Sequence, residues 1–129
     1  MADQRVTRRG PTSEPEPQDA RGYNERGNRY SRTGIYGKAI SDYTSAIELD
    51  STFVEAYFNR GGSYYEVGWY EEALADLSKA IQLDPKDDRF YAWRSVVYLF
   101  NDQPDLAEAD QETCEELRSH STQGPSEGL

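Results

Sequence analysis

The sequence predicts an all-α protein, a solenoid built from three helix-turn-helix units, and two observations support this prediction. The first is an internal repeat of 34 residues, which separates Tyr23, Tyr57 and Tyr91. A period of this length is typical of helical repeat proteins. The same interval recurs in three further sets: Arg26, Arg60 and Arg94; Ala39, Ala73 and Ala107; Asp42, Asp76 and Asp110. The second observation is that apolar residues inside each unit fall at helical spacing, so the helices are predicted to be amphipathic.

Turn-forming residues divide each repeat into two helices. Gly34 and Gly68 stand where the first helix of a unit should end, because glycine readily adopts the left-handed conformation of a helix terminus. Pro85 closes the second unit, and Pro104 stands near the start of the last helix. The predicted helices span residues 20–33, 37–50, 54–67, 71–84, 88–101 and 105–118.

The composition predicts one folded domain between two loose ends. Residues 1–19 and 119–129 are rich in Pro, Gly, Ser and Glu and poor in large apolar side chains, so we expect a disordered arm and a flexible tail. The domain itself is expected at residues 20–118. It divides into the repeats 20–53, 54–87 and 88–118.

The last helix is predicted to cap the solenoid. Glu108, Gln111 and Glu115 occupy the positions that hold apolar residues in the second repeat. A polar outer face keeps a terminal repeat in contact with water. The functional alternative is that the acidic residues of this helix form a docking strip for a basic partner.

The repeated residues resemble the tetratricopeptide repeat (TPR) family, whose aromatic, glycine, tyrosine, alanine and proline positions recur with this period. The second repeat matches best, through Tyr57, Gly61, Tyr64, Ala73, Ala80 and Pro85. The resemblance covers about residues 20–118 and implies a right-handed superhelical solenoid of three helix-turn-helix units. It predicts the fold more strongly than the partner, because this scaffold serves many functions.

Composition argues against several classes of protein. The 129 residues include 36% hydrophobic residues, and the mean hydropathy is −0.94, so membrane insertion is not expected. The formal net charge of −10 opposes binding to nucleic acid. The first ten residues lack the apolar run of a secretory signal, so we expect a cytoplasmic protein.

Catalytic and cofactor sites are not expected either. One cysteine, Cys114, and one histidine, His120, cannot build a metal site of the usual cysteine and histidine type, and we predict no metal and no cofactor. Cys114 is instead predicted to be a small core residue. No nucleophile, phosphate loop or carboxylate pair has convincing spacing, so the chain is predicted not to be an enzyme.

Two repeated features are assigned to packing. Gly61 should allow Ala73 of the following helix to approach its backbone. Arg26, Arg60 and Arg94 should pair with the repeated aspartates, within a unit or across a unit boundary. The alternative for these arginines is that they grip an acidic ligand.

The first helices of stacked hairpins line a concave surface, where we place the binding site. The prediction is a non-catalytic protein-protein interaction module that binds a peptide segment or helix of a partner, as an adaptor, scaffold or assembly factor. The predicted groove residues are Asn24, Asn28, Arg32, Glu55, Phe58, Asn59, Tyr65, Glu66, Arg89, Trp93 and Phe100.

Two alternatives remain for the partner. The tyrosines and the apolar end of the groove could form a homodimer, or that end could be covered by the chain's own tail. Some members of the family hold the acidic C-terminus of heat-shock chaperones in a carboxylate clamp. The resemblance places Asn28, Asn59 and Arg89 on three clamp positions, whereas Asn24 and Trp93 replace two cations.

Overall fold

A computed structural model of the chain describes residues 15–123, with side chains as far as Ser121. Over this range the chain forms six α-helices and no strand, which confirms the predicted all-α solenoid of three helix-turn-helix units. The helices are α1 (Ala20–Arg32), α2 (Tyr36–Leu49), α3 (Val54–Glu66), α4 (Tyr70–Leu83), α5 (Asp88–Phe100) and α6 (Pro104–Gln123).

Consecutive helices pack as hairpins. The main contacts are between α1 and α2, α3 and α4, and α5 and α6, and the hairpins join through α2 with α3 and α4 with α5. The first helices of the hairpins also contact one another, α1 with α3 and α3 with α5. These three helices therefore form a continuous row along one side of the stack.

The last helix is longer than predicted. It continues to Gln123, five residues beyond the predicted end at residue 118, because the first helix-breaking residues in this part of the sequence are Gly124 and Pro125. Residues 1–14 of the predicted arm and 124–129 of the predicted tail lie outside the described residues. None of the described helices is long and apolar enough to span a bilayer.

The turn within each hairpin contains a residue in the left-handed region. Gly34 and Gly68 have φ angles of +79° and +85°, and both follow a helix end as the sequence predicts. In the third repeat the same position, 34 residues further on, is occupied by Asp102 with a φ of 62°. All three hairpins therefore turn with the same backbone geometry, although only two have glycine there.

Glycines allow the helices of a hairpin to approach closely. A Cβ atom at Gly27 would lie 2.7 Å from Cε1 of Tyr43, and one at Gly61 would lie 3.2 Å from Cγ of Leu77. The predicted approach of Ala73 to Gly61 is made by the Ala73 carbonyl oxygen, 3.4 Å from that Cβ position. A methyl group at Gly27 has no room unless the buried Tyr43 ring moves.

The core lies between the two layers of helices and continues from one hairpin to the next. One cluster joins Ala73, Leu74 and Leu77 of α4 to Val97 of α5. Cys114 is 1% exposed, which confirms its prediction as a core residue, and burial raises the pKa of its thiol. On the outer side of α6, the side chains of Glu108, Gln111 and Glu115 are exposed.

The repeated arginines and aspartates pair as predicted. Of the two arrangements left open, within a unit or across a unit boundary, the structure shows pairing within each hairpin. The Nε atoms of Arg26, Arg60 and Arg94 lie 2.7 to 2.8 Å from the carboxylates of Asp42, Asp76 and Asp110. Two of these arginines also donate a hydrogen bond from Nη1 to the preceding hairpin. Nη1 of Arg60 donates to the Thr44 hydroxyl, and Nη1 of Arg94 donates to the Ser78 hydroxyl, each at 3.0 Å.

Candidate functional site

A cavity of about 290 Å³ opens along the row formed by α1, α3 and α5. These first helices supply most of its wall, and residues of α2 and α4 complete the lining. We call this cavity and its rim the groove. Its position follows from the repeat, because equivalent faces of successive first helices lie side by side.

Seven of the eleven predicted groove residues line the cavity: Asn28, Arg32, Phe58, Asn59, Tyr65, Glu66 and Trp93. The other four lie outside the lining: Asn24, Glu55, Arg89 and Phe100. Phe100 and Arg89 still belong to the rim through their contacts with lining residues, Phe100 with Tyr65 and Arg89 with Phe58.

The asparagines of the groove are partly engaged with the protein itself. Nδ2 of Asn59 donates to Oδ1 of Asn24 at 3.1 Å, and Asn24 is only 7% exposed. Oδ1 of Asn28 accepts a hydrogen bond from the Tyr43 hydroxyl at 2.7 Å. Within the described part of the chain, Nδ2 of Asn28 and Oδ1 of Asn59 have no hydrogen-bond partner. The amide group Nδ2 of Asn28 therefore remains available as a donor at the wall, and Oδ1 of Asn59 remains available as an acceptor.

Arg89 is an ion-paired rim residue rather than a free cation. Its Nη2 atom lies 2.8 Å from carboxylate oxygens of both Asp87 and Glu55. The Arg89 guanidinium donates hydrogen bonds to the carboxylates of Asp87 and Glu55, which hold the pKa of Arg89 above its ordinary value. The guanidinium also lies 4.8 Å from the centre of the Phe58 ring. Any acidic ligand of Arg89 would have to compete with two carboxylates.

Four rings at the C-terminal end of the groove form what we call the aromatic cluster: Tyr65, Tyr70, Trp93 and Phe100. The Tyr65 ring lies 5.7 Å from Trp93 and 5.5 Å from Phe100, both edge to face, and 5.9 Å from Tyr70. Trp93 is 40% exposed and Phe100 is 59% exposed. The cluster therefore presents aromatic surface to solvent next to the cavity.

Six lining residues were not predicted from the sequence. They come from the second helices and from the buried side of the first helices: Tyr36, Tyr43, Gly61, Ser63, Leu77 and Val97. Burial raises the pKa of Tyr43 to about 12. The Ser63 hydroxyl is buried and has no hydrogen-bond partner among the described residues. Tyr36 could have been found, because it lies one repeat before Tyr70, a residue of the aromatic cluster.

The cavity lining offers hydrogen-bonding amides, aromatic surface, and one exposed residue of each charge, Arg32 and Glu66. In the described part of the chain, no group of three or more His, Cys, Asp and Glu side chains is arranged to hold a metal ion. These groups are suited to non-covalent recognition of a polypeptide.

Comparison with known proteins identifies the family. A family model described as Tetratricopeptide repeat matches residues 54–87, and one described as TPR repeat matches residues 27–68. No curated protein matches the sequence at a significant level. The second TPR of Spaghetti (RPAP3), solved with the HSP90 peptide SRMEEVD, is 33% identical with a TM-score of 0.75. The match covers 78% of this chain and 93% of that one, and the chain belongs to the tetratricopeptide repeat family.

Two further solved structures share the fold. The Arabidopsis OM64 TPR domain is 26% identical with a TM-score of 0.74, and the match covers 76% of this chain and 81% of that one. The TPR2B domain of yeast Sti1, solved as a pHsp70 complex, is 22% identical with a TM-score of 0.77. That match covers 83% of this chain and 86% of the yeast domain.

Proposed function

We propose that the chain is a non-catalytic protein-interaction module that binds an extended segment or a helix of a partner protein in the groove. It would act as an adaptor, scaffold or assembly factor. The observation that carries this proposal is the open cavity of about 290 Å³ along α1, α3 and α5, walled by amide and aromatic side chains. The peptide bound by the relative with 33% identity supports it further.

The amides would hold the partner's backbone. Nδ2 of Asn28 can donate to a peptide carbonyl, and Oδ1 of Asn59 can accept from a peptide N–H group. These contacts fix an extended chain without reading its side chains. Asn28 and Asn59 are themselves held in place by Tyr43 and Asn24, so little side-chain entropy is lost when they bind.

The rings would select the partner's side chains. Phe58, Tyr65 and Trp93 line the cavity, and aromatic residues in such positions dominate the energy of many interfaces. Selectivity is therefore expected at the C-terminal end of the groove. The N-terminal end, with Ser31 and Arg32, would contact polar parts of the partner.

A chaperone C-terminus is the second candidate ligand, because the relative with 33% identity was solved with the HSP90 peptide SRMEEVD. Asn28, Asn59 and Arg89 lie at the groove and its rim. Two features weaken this candidate: Trp93 stands at a clamp position that carries a cation, and Arg89 is already paired with Asp87 and Glu55. A homodimer through the apolar end of the groove, at the exposed Trp93 and Phe100, is the third candidate, which sedimentation over a range of concentrations would test.

A glycine on the groove wall allows a blocking variant. No side chain lies within 4 Å of a Cβ placed at Gly62, which lines the cavity, so Gly62→Tyr should fill the groove without disturbing the core. Gly37 also has nothing within 4 Å and lies outside the lining, so Gly37→Tyr is the matched control. Peptides selected on the full chain from a random display library serve as probes, together with SRMEEVD.

Calorimetric titration of each peptide against the three proteins tests the proposal. We expect the selected peptides to lose at least about tenfold in affinity on Gly62→Tyr, and to bind the Gly37→Tyr variant like the unmodified chain. Equal affinity for all three proteins, or a library that yields no binding peptide, would overturn groove binding. If SRMEEVD binds as tightly as the selected peptides, the second candidate is favoured.

A further inference from the structure

We propose that the aromatic cluster binds a cationic side chain, Arg or Lys, from a basic segment of the partner protein. The inference rests on the proposed function and specifies its partner chemistry. It concerns the four rings of Tyr65, Tyr70, Trp93 and Phe100 at the C-terminal end of the groove. Three observations support it: the ring geometry, the lack of a Lys or Arg over these rings among the described residues, and the surrounding charge.

The rings are arranged to leave ring faces open to a ligand. Trp93 and Phe100 both contact Tyr65 edge to face, with interplanar angles of 68° and 85°. A T-shaped contact uses the edge of one ring and leaves other faces free. Trp93 and Phe100 are 40% and 59% exposed, so ring surface is accessible from solvent. The negative electrostatic potential of such faces attracts cations.

Seven rings elsewhere in the described part of the chain have an Arg or Lys beside them. Arg60 lies 5.6 Å from the centre of Tyr64, Arg94 lies 5.6 Å from Tyr98, and Arg89 lies 4.8 Å from Phe58. Within the described residues, no Lys or Arg is placed over a ring of the aromatic cluster. The two arginines on the helix that carries Trp93 are bound to carboxylates, Arg89 to Glu55 and Asp87, and Arg94 to Asp110.

The sequence around the cluster is acidic. Residues 61–78, which contain Tyr65 and Tyr70, include four acidic and no basic residues. Residues 95–117, which contain Phe100, include seven acidic and no basic residues. Two members of these sets, Asp76 and Asp110, are paired with Arg60 and Arg94. The remaining negative charge favours a basic partner and opposes an acidic one.

Two short peptides test the charge preference. Acetyl-Leu-Arg-Leu-Arg-Leu-amide is the probe, and the same peptide with Glu in place of each Arg is the matched control. The indole N–H resonance of Trp93 in the full chain reports binding, and Trp69, which lies outside the cavity, is an internal control in the same spectrum. We expect the Arg peptide to shift the Trp93 signal and to bind at least about tenfold more tightly than the Glu peptide.

Variants separate attraction to the rings from simple apolar contact. Phe100→Leu keeps an apolar side chain but removes a π face, and its high exposure makes loss of folding unexpected. We expect affinity for the Arg peptide to fall by about three- to tenfold. Trp69→Leu removes another exposed ring and should leave that affinity unchanged. Circular dichroism confirms that both variants are folded.

Several results would overturn the inference: equal binding of the two peptides, no shift of the Trp93 signal, or unchanged affinity in the Phe100→Leu variant. The chain's own N-terminal arm, residues 1–19, also carries cations that could occupy the aromatic cluster. Replacement of its Arg5, Arg8 and Arg9 by Ser tests this alternative occupant. A shift of the Trp93 signal in that peptide-free variant would also contradict a partner's side chain as the ligand. Failure here with continued sensitivity of library-selected peptides to Gly62→Tyr would leave groove binding intact.

Discussion

Arg60 donates from Nε and Nη2 to the two carboxylate oxygens of Asp76, at 2.8 Å each, and this two-point contact joins the helices of the central hairpin. Asp76 is 4% exposed, so its charge has little access to water. The third donor group of Arg60 reaches Thr44 and links the hairpin to the one before it. A single side chain therefore connects three helices.

Loss of the Arg60 guanidinium should destabilise the domain strongly. Arg60→Met keeps the apolar stem of the side chain but leaves Asp76 buried without a counter-ion, which typically costs about 3–5 kcal/mol. Arg21→Met is the control, because the Arg21–Glu25 pair is exposed and contributes about 0.5 kcal/mol or less. Denaturant unfolding at neutral pH measures both. A similar small loss in the two variants would contradict a structural role for Arg60.

The same variant should depend on pH in a defined direction. Burial already raises the pKa of Asp76, and removal of Arg60 should raise the pKa of that carboxyl further. When the pKa is higher in the folded state, the folded state binds more protons, so its stability falls as pH rises through that pKa. The deficit of Arg60→Met relative to the unmodified protein should therefore be smaller at pH 5 than at pH 7. A deficit that grows on acidification would be inconsistent with this.

Substitution of glycine by alanine should have opposite effects at two positions. At Gly27 the new Cβ would lie 2.7 Å from the buried Tyr43 ring, and the required shift should cost about 1–3 kcal/mol. At Gly37, also in a helix, nothing lies within 4 Å, so alanine should stabilise by up to about 1 kcal/mol. Thermal unfolding of the two variants decides the matter, and a stabilising Gly27→Ala change would refute the close contact.

The left-handed residue in the third hairpin offers a stabilising change. Asp102 has a φ of 62° and is exposed, so Asp102→Gly should relieve backbone strain and raise the free energy of unfolding by about 0.5–1 kcal/mol. Gly68→Ala makes the reverse change and should lower it by about 1–2 kcal/mol. Denaturant midpoints provide the test. A lower midpoint for Asp102→Gly would show that the aspartate makes a compensating interaction.

Two hydroxyl groups, the buried one of Ser63 and the partly buried one of Thr44, should respond differently to removal. The Ser63 hydroxyl has no hydrogen-bond partner within residues 15–123, so Ser63→Ala should stabilise by about 1 kcal/mol. The Thr44 hydroxyl accepts from Arg60 and donates to the Ile40 carbonyl, so the near-isosteric Thr44→Val should destabilise by about 1 kcal/mol. Both effects are read as changes in melting temperature. Destabilisation by Ser63→Ala would mean that the hydroxyl is satisfied in solution.

The repeat determined most of what could be predicted. Because a residue type recurring every 34 positions must occupy equivalent sites, the sequence alone located the hairpins, the left-handed Gly34 and Gly68, and the pairing of Arg60 with Asp76. The predicted end of α6 was wrong by five residues, because a run of polar residues without a helix breaker does not define where a helix ends.

The site was less predictable because side-chain partners depend on packing between repeats. Asn24 lies on the side of α1 that packs against α3, as its spacing indicates, but its side chain is buried against Asn59. Arg89 carries the expected charge, but two carboxylates neutralise it. Tyr43 belongs to a second helix. Its ring reaches the cavity because Gly27 has no side chain in the space that the ring occupies. Spacing identifies the face of a helix, whereas these contacts require the neighbouring helix.

Mapping of backbone amide shifts on addition of a library-selected peptide tests the central claim most directly. If a polypeptide lies in the groove, the largest shifts should fall on α1, α3 and α5, around Asn28, Asn59 and Trp93. Shifts confined to α6 and to the parts of α2 and α4 that lie outside the cavity lining would contradict the account, because those surfaces face away from the groove.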